Sequence, residues 1–481
     1  MKIKCLILLF ISVLAADVTA QNSQGMYFMN LPQNHLLNPA FRPSSRLYIG
    51  LPVISGVNLS LNNNFINFSD VFLKGKQPSD SIISFIHDDF DVDRFLSRIK
   101  ERSSVELQSV VQLLGVGFSA GKDLCFFMDI NERAESNLVF PGDLIRLGFL
   151  GNADMAGMAI DLSSLRADLR YFHEVGFGAS KNVTEKLRIG AKAKLFFGVA
   201  AGSIENNALK LTVNNDYTHT LNADMALNIS GPLQFYVNDE NKIDSVEFDN
   251  ERFDNFNGIR KFLTNTTNPG FGFDIGAEYK ITDRIIVSAA VTDFGFIKWK
   301  TDLTNLKVAG SYDFQGLSLQ DVYDGTVTFE DFGKGIIDSL VNSFTITDNK
   351  EPFTTTLPFG VSVGGKYNLT DKFSFGVLSH SRILGKQVKQ ALILSANMNL
   401  SNIFLASLCY TASNHYYDNL GLGFAARAGV VQFYLFADRI PVIWNKVTTE
   451  GGSSFTLPAR WNNLHTRFGI NLIFGNRMLK E

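Results

Sequence analysis

Between Phe271 and Trp299 the side chains alternate between apolar and polar on either side of a three-residue turn. Phe271, Phe273, Ile275, Ala277, Tyr279 and Ile281 form one face, and Gly272, Asp274, Gly276, Glu278 and Lys280 form the other. A repeat of two belongs to an extended strand, whose successive side chains leave opposite faces. Thr282-Asp283-Arg284 is a polar turn, after which Ile285, Val287, Ala289 and Val291 resume the alternation toward Phe294, Phe296 and Trp299. Lys181–Arg188, Tyr279–Ile286, Tyr367–Ser374 and Met398–Leu405 are four versions of the same turn. A chain patterned this way is committed to antiparallel sheet with one dry and one wet face.

The strand runs are about ten residues long and flanked by aromatics, the crossing length of a tilted strand in a membrane. Beyond the N-terminus no stretch approaches the roughly eighteen consecutive apolar residues that a membrane helix needs. Phe is unusually abundant, with 42 beside 13 Tyr and 3 Trp, which suits a lipid-facing wall. The expected fold is all-β: a transmembrane antiparallel up-and-down barrel of about 14 strands, an even number, with short helical insertions. A net charge of −3 provides no basic field, so nucleic acid is not an expected partner. Three cysteines are too few for a disulfide framework, and Cys125 and Cys409 read as small wall residues; a bridge between them stays open.

Residues 1–20 read as a secretory signal peptide: Lys2 and Lys4, then the apolar Cys5–Leu14, then Val18-Thr19-Ala20. Cys5 lies too early to be a lipidation cysteine. A leader followed by a barrel implies the outer membrane of a two-membrane bacterium. Residues 21–45 are a lead-in whose Asn38, Pro39, Phe41 and Arg42 belong to a rigid, turn-forming stretch. They are candidates for a plug at the periplasmic end; the alternative is an ordered lead-in. The barrel is expected over 46–481. Within it, Ile82, Ile83, Phe85, Ile86, Phe90, Phe95, Leu96 and Ile99 recur near helical spacing, so 79–110 is expected to hold one or two amphipathic helices. Phe140–Ile145 should begin a short helix or loop. Residues 231–268 and 301–350 read as long polar loops, with helices expected near 253–263 and 331–343. In the C-terminal third, turns centred on Thr370, Ser401 and Val430 place strands near 372–384, 388–399, 403–411, 419–428, 431–440 and 465–474.

No nucleotide loop, zinc spacing or Gly-x-Ser-x-Gly elbow is present, so no catalytic residue, metal site or cofactor is expected. His173-Glu174 is the one acid–base pairing in view, and neighbours on a strand point to opposite faces unless a bulge intervenes. Arg188, Lys192, Lys194, Asp274, Glu278, Lys366 and Arg427 should face the lumen, because a Lys or Arg on the lipid face at the midplane costs about 2–4 kcal/mol. They are the ligand candidates, with a mutually neutralising network as the alternative. Gly421 and Gly423 read as strand glycines in a tightly curved wall.

Several stretches carry a family resemblance: Asn38–Pro43, Phe140–Leu144, Gly151-Asn152, Tyr171–Gly178 and Leu187–Lys194. On these the chain resembles an outer-membrane barrel family of Bacteroidetes that has no established activity. More distantly it is similar in layout to long-chain fatty-acid transporter barrels and to barrel components of the type IX secretion system, with which it shares the Asn-Pro-Ala start. Either likeness implies an N-terminal segment in the lumen. The last strand, Arg467–Phe474, resembles the terminal signal read by barrel-assembly machinery, except that Gly475–Glu481 follow it. The functional expectation is a porin-like barrel that transports or binds a small ligand, hydrophobic by preference. The alternative is a scaffold or partner subunit of an envelope or secretion assembly. Expected partners are outer-membrane lipid, the assembly machinery during biogenesis and an envelope protein.

Overall fold

The structure is a computed structural model that describes residues 25–67, 73–74, 82–83, 90–151, 155–216, 218–238, 243–249, 253–314, 344–385, 387–401, 403–413, 416–438, 440, 444–448, 454–458 and 463–476. The expected signal peptide and the helix expected at 331–343 lie outside the described residues.

Fourteen antiparallel strands pair in sequence order and close on themselves. They are β1 (Ser45–Gly50, continued as Val57–Asn63), β2 (Arg102–Ala120), β3 (Leu124–Pro141), β4 (Arg166–Asn182), β5 (Leu187–Val213), β6 (Asn268–Lys280) and β7 (Ile285–Trp299). The second half is β8 (Phe353–Thr356, continued as Phe359–Asn368), β9 (Phe373–Leu384), β10 (Gln387–Leu400), β11 (Phe404–Ser413), β12 (Tyr416–Ala428), β13 (Val431–Asp438) and β14 (Asn463–Asn476). The ring closes where β1 lies between β14 and β2, with Leu47 opposite both Phe474 and Phe118. One end carries short turns and the start of β1. The other carries the long connections.

The wall is inside-out relative to a water-soluble protein. Leu59, Phe177, Phe273, Val363, Phe375, Leu394, Leu408 and Leu422 point outward and are exposed. Asp129, Arg133, Glu174, Lys192, Lys194 and Asp274 point inward and are buried. Such a surface is stable in lipid, where closure leaves no unpaired strand edge.

Two local departures shape the interior. β1 detours at residues 51–56 while β14 runs straight past: the Leu51 amide donates to Ile470 O at 3.2 Å, and the Ile470 amide to Ile54 O at 2.8 Å. Val53 takes φ +68°, and the detour buries Ser55 in the lumen. In β7 a bulge sets two residues against Asp274, because Phe273 pairs with Phe294 but Ile275 with Val291. The extra residue reverses which side chains face inward, as bulges do. Ala290 is buried below the bulge and Ile297 and Trp299 above it.

Residues 102–110 correct the helical expectation. They open the long strand β2, paired with β1 through Asn63–Val105 and with β3 through Arg102–Pro141. Pairing on both sides overrides the spacing. Helix α1 is short, Val92–Leu96, capped by the Asp91 side chain, which accepts from the Arg94 amide at 2.9 Å. Its Phe95 and Leu96 pack with Phe65, Phe90 and Ile99. Helix α2 spans Gly142–Leu150, and helix α3 spans Phe256–Leu263 with an Asn255 cap.

β5, 27 residues long, leaves the barrel. Its lower part pairs with β6 up to Gly198; from Ala201 it pairs with His219–Ser230. That strand pairs with Leu303–Phe314, which pairs with Phe344–Asn349, so a sheet rises from the wall on the long-loop side. Asn268 ties the fork: it donates to Gly198 O at 3.2 Å and accepts from the Lys300 amide at 2.7 Å.

Candidate functional site

The lumen is occupied by the segment before β1. Two 3-10 turns, Gly25–Phe28 and Pro32–Leu36, fold it into a compact body. Met26, Tyr27, Met29 and Leu31 are buried against Leu378, Ile393, Leu405, Cys409, Ala425, Tyr434 and Phe436, which come from β9 to β13. The Tyr27 ring meets Phe28 and Phe41 edge-on, with centroids 5.0 and 4.8 Å away.

Polar anchors fix the body's height. Gln33 and Asn471 exchange side-chain hydrogen bonds at 2.6 and 3.1 Å. His35 Nε2 lies 2.9 Å from an Asp129 oxygen. Asn38 donates to the Tyr27 hydroxyl at 3.1 Å and accepts from the Ala40 amide at 2.9 Å. At the short-turn mouth Arg42 donates to the carbonyls of Gly121, Lys122 and Leu124. Of the expected plug residues, Asn38 is fully buried, Phe41 packs on Tyr27, and Pro39 lies against Gly190 of the wall. A Cβ on Gly190 would overlap Pro39 O, and one on Gly276 would overlap Asn38 Oδ1. Gly421 and Gly423 also make room for neighbours, the first for wall side chains and the second partly for the plug. The first faces Cys409 and Asp438, the second Phe436 and Met29.

Above the plug lies a charged network. Asp129 accepts from Gln112 at 2.7 Å and pairs with Lys192 at 3.1 Å as well as with His35. Lys192 reaches Glu174 at 3.3 Å. Arg133 is the hub: its Nη1 donates to Glu174 at 2.7 Å and to Asp293 at 2.8 Å, and its Nη2 to Glu135 at 2.9 Å. The guanidinium also sits 5.3 Å over the Phe172 ring. Lys194 pairs with Asp274 at 2.8 Å and with Asp293. Asp293 reaches the lumen because of the β7 bulge, where its φ is +62° and its amide donates to Asp274 at 2.7 Å. Buried ions in such number are costly unless they are paired.

The network takes up Lys192, Lys194 and Asp274 from the sequence candidates and leaves the others apart. Arg188 and Glu278 pair with each other at 3.0 Å nearer the short turns. Lys366 lines a cavity of about 400 Å³ below the plug, beside Phe28 and Met29. Arg427 sits at the rim, donating to Gly429 O at 2.8 Å and Ile473 O at 3.1 Å. His173 and Glu174 do face opposite ways. His173 pairs with Glu132 at 2.8 Å on the outer face, while Glu174 joins the lumen network. Sequence reasoning missed His35, Asp129, Arg133, Glu135 and Asp293. A polar residue at every second place from Asp129 to Asn137 was the available signal for three of them.

A cavity of about 820 Å³ of atom-free space, counting its mouth, lies directly above the plug. Leu36 and Leu37 form its floor, and Arg133, Glu174, Asp293, His380, Arg382 and Arg467 stand among its walls. A second, of about 430 Å³, shares Gln108, Pro358 and Arg382 with it and continues toward the long loops past Glu106 and Lys389. The two form a polar vestibule, with the plug between it and the lower cavity.

The model of a family described as "Family of unknown function (DUF5723)" matches residues 39–438. The chain belongs to this family. A DUF5723 barrel is what the resemblance read from the sequence implied: a barrel family with no established activity. No curated protein matches the chain. Among solved structures, the DUF5723 chain is similar to a Pseudomonas aeruginosa FadL homologue, with TM-score 0.41 and 11% identity, covering 96% of this chain and 100% of that one. It is also similar to the P. putida toluene transporter TodX, with TM-score 0.40, 10% identity and coverage of 96% and 98%. The translocator domain of the autotransporter NalP from Neisseria meningitidis gives 0.32, 8%, and 89% of each chain. The fold rests on the strand pairings described above.

Proposed function

We propose that this protein is an outer-membrane barrel that admits a small polar solute from its long-loop side and releases it on the short-turn side when the N-terminal plug shifts. The vestibule carries the reading: a chamber lined with charged side chains continues toward the long loops and ends on Leu36 and Leu37 of a separate, non-wall segment. Charged side chains, Arg133, Glu174, Asp293, Arg382 and Arg467, stand in the lining of the upper cavity, so the cargo is polar rather than the hydrophobic one favoured by the Phe-rich outer wall. In this reading the short turns face the periplasm, as is usual for such barrels.

The test is solute swelling of proteoliposomes with the full chain or with a chain lacking residues 25–43. Arabinose should enter slowly through the full barrel and at least tenfold faster through the truncated one. Equal rates from two folded proteins would remove the plug from the mechanism.

A second reading, docking to an envelope partner, is favoured by one observation. On the long-loop side Tyr236, Val246, Phe248 and Phe256 expose large apolar surfaces, Phe256 to 78%. A photo-crosslinker at position 256 should then trap one discrete envelope protein in intact cells. A yield no greater than from a crosslinker at exposed Lys350 would dismiss it.

A further inference from the structure

The charges around the cavity above the plug are unevenly satisfied. Arg133, Lys192 and Lys194 make the close contacts to Asp129, Glu135, Glu174, Asp274 and Asp293. Arg382 reaches a carboxylate only at 3.9 Å, at a Glu135 oxygen that Arg170 also approaches at 4.0 Å. Arg382 makes no side-chain hydrogen bond among the described residues and lines both cavities of the vestibule. Arg467 is 8% exposed and lines the upper cavity. Among the described residues no carboxylate pairs with it; its contacts are the Met26 sulfur at 3.8 Å and the Tyr434 hydroxyl, and its Nε has no hydrogen-bond partner. A buried guanidinium without a counter-charge is costly, and an anion beside it relieves that cost. Guanidinium groups also present paired donors matched to oxyanions. The same cavity is lined by the polar Asn58, Gln108, Thr292 and His380, and by Arg133 and Lys194, whose charges the lining carboxylates Glu174 and Asp293 already meet.

We infer that the cavity above the plug is a binding site for a small organic anion, whose single carboxylate or phosphate group is held by Arg382 and Arg467. The inference rests on the vestibule reading above and names its solute class. The polar side chains Asn58, Gln108 and Thr292 of the same cavity are there for the rest of a molecule a few heavy atoms long.

Equilibrium titration calorimetry on the full-length barrel in detergent tests it. The probes are lactate and inorganic phosphate, with lactamide as neutral control and ethanolamine as cationic control. At least one anion should bind saturably and more weakly as NaCl rises, and neither control should bind. R382Q and R467Q should each weaken that binding at least tenfold, in protein whose heat-modifiable gel mobility shows a folded barrel. Lactate alone assigns a carboxylate, phosphate alone a phosphate, and both assign the shared oxyanion. R382Q carries the test if R467Q does not fold, since Arg382 is partly open to the cavity. Binding of neither anion, binding equal to that of lactamide, or binding unchanged in R382Q overturns the site. Anion binding with no swelling of truncated proteoliposomes would sink passage and keep the site. Arabinose swelling without anion binding would do the reverse.

Discussion

A barrel carrying Gly276→Val conducts ions across a planar bilayer at least tenfold more than the unaltered protein does under the same conditions. Gly276 sits in the middle of β6, paired with Gly190 on one side and Ala290 on the other. A Cβ there points into the lumen and would overlap Asn38 Oδ1, with Pro39 also inside normal contact. The wall is held in its ladder from both sides, so the plug is the side that yields. Overpacking of this kind costs about 1–3 kcal/mol. It falls on the residue that organises the plug, since Asn38 bonds both Tyr27 and Ala40. Gly365→Val is the control: its Cβ would meet only Val377, at an ordinary 3.5 Å. Conductance of folded Gly276→Val no greater than that of the unaltered protein would mean that the plug tolerates the displacement and is not seated by that contact.

Arg133→Met should lower the stability of the barrel by about 3–5 kcal/mol, the usual cost of breaking a buried ion pair from one side. Three carboxylates lose their shared donor at once. Glu174 keeps Lys192 and Asp293 keeps Lys194. Glu135 keeps the Gln108 amide at 3.2 Å but no cation nearer than the distant Arg170 and Arg382. Glu135 is therefore the residue left in deficit, and Arg133→Met/Glu135→Gln should recover a substantial part of the loss. Urea unfolding of the folded barrel in detergent measures both. A single substitution costing under about 1 kcal/mol would show the network to be hydrated and replaceable rather than structural.

Much of the wall was legible because each hairpin carries its own register. The period of two, the recurring turn and the crossing length locate β9 to β14 to within a few residues, and alternation sorts Asp274 from Phe273 without reference to any other strand. What lay beyond reach depends on closure. The meeting of Arg133 with Asp293 joins β3 to β7 across the lumen, and no local pattern announces it. Asp293 was further concealed by the bulge, since strict alternation points Thr292 inward instead. Arg133 stood in a visibly alternating run, but Glu132 beside it puts a charge on the outer face and blurs the pattern. The apolar spacing near Ile99 continued plausibly as a helix into 102–110, where pairing with β1 and β3 wins. Wall glycines look alike in sequence whether they bend a strand or make room for a neighbour, and only the position of that neighbour, in the plug or across the wall, separates the two.

The plug precedes every strand of the wall in the chain, yet the apolar part of its seat is built from β9 to β13. Synthesis order and placement order are therefore opposed. Until those late strands have paired, Met26, Tyr27 and Met29 lack their apolar partners, and a barrel stalled part-way would leave them as an oily, protease-accessible tail. Docking of the first segment thus reports completion of the last ones, and an inspection step that reads an exposed N-terminus would distinguish finished barrels from unfinished ones without examining the wall at all.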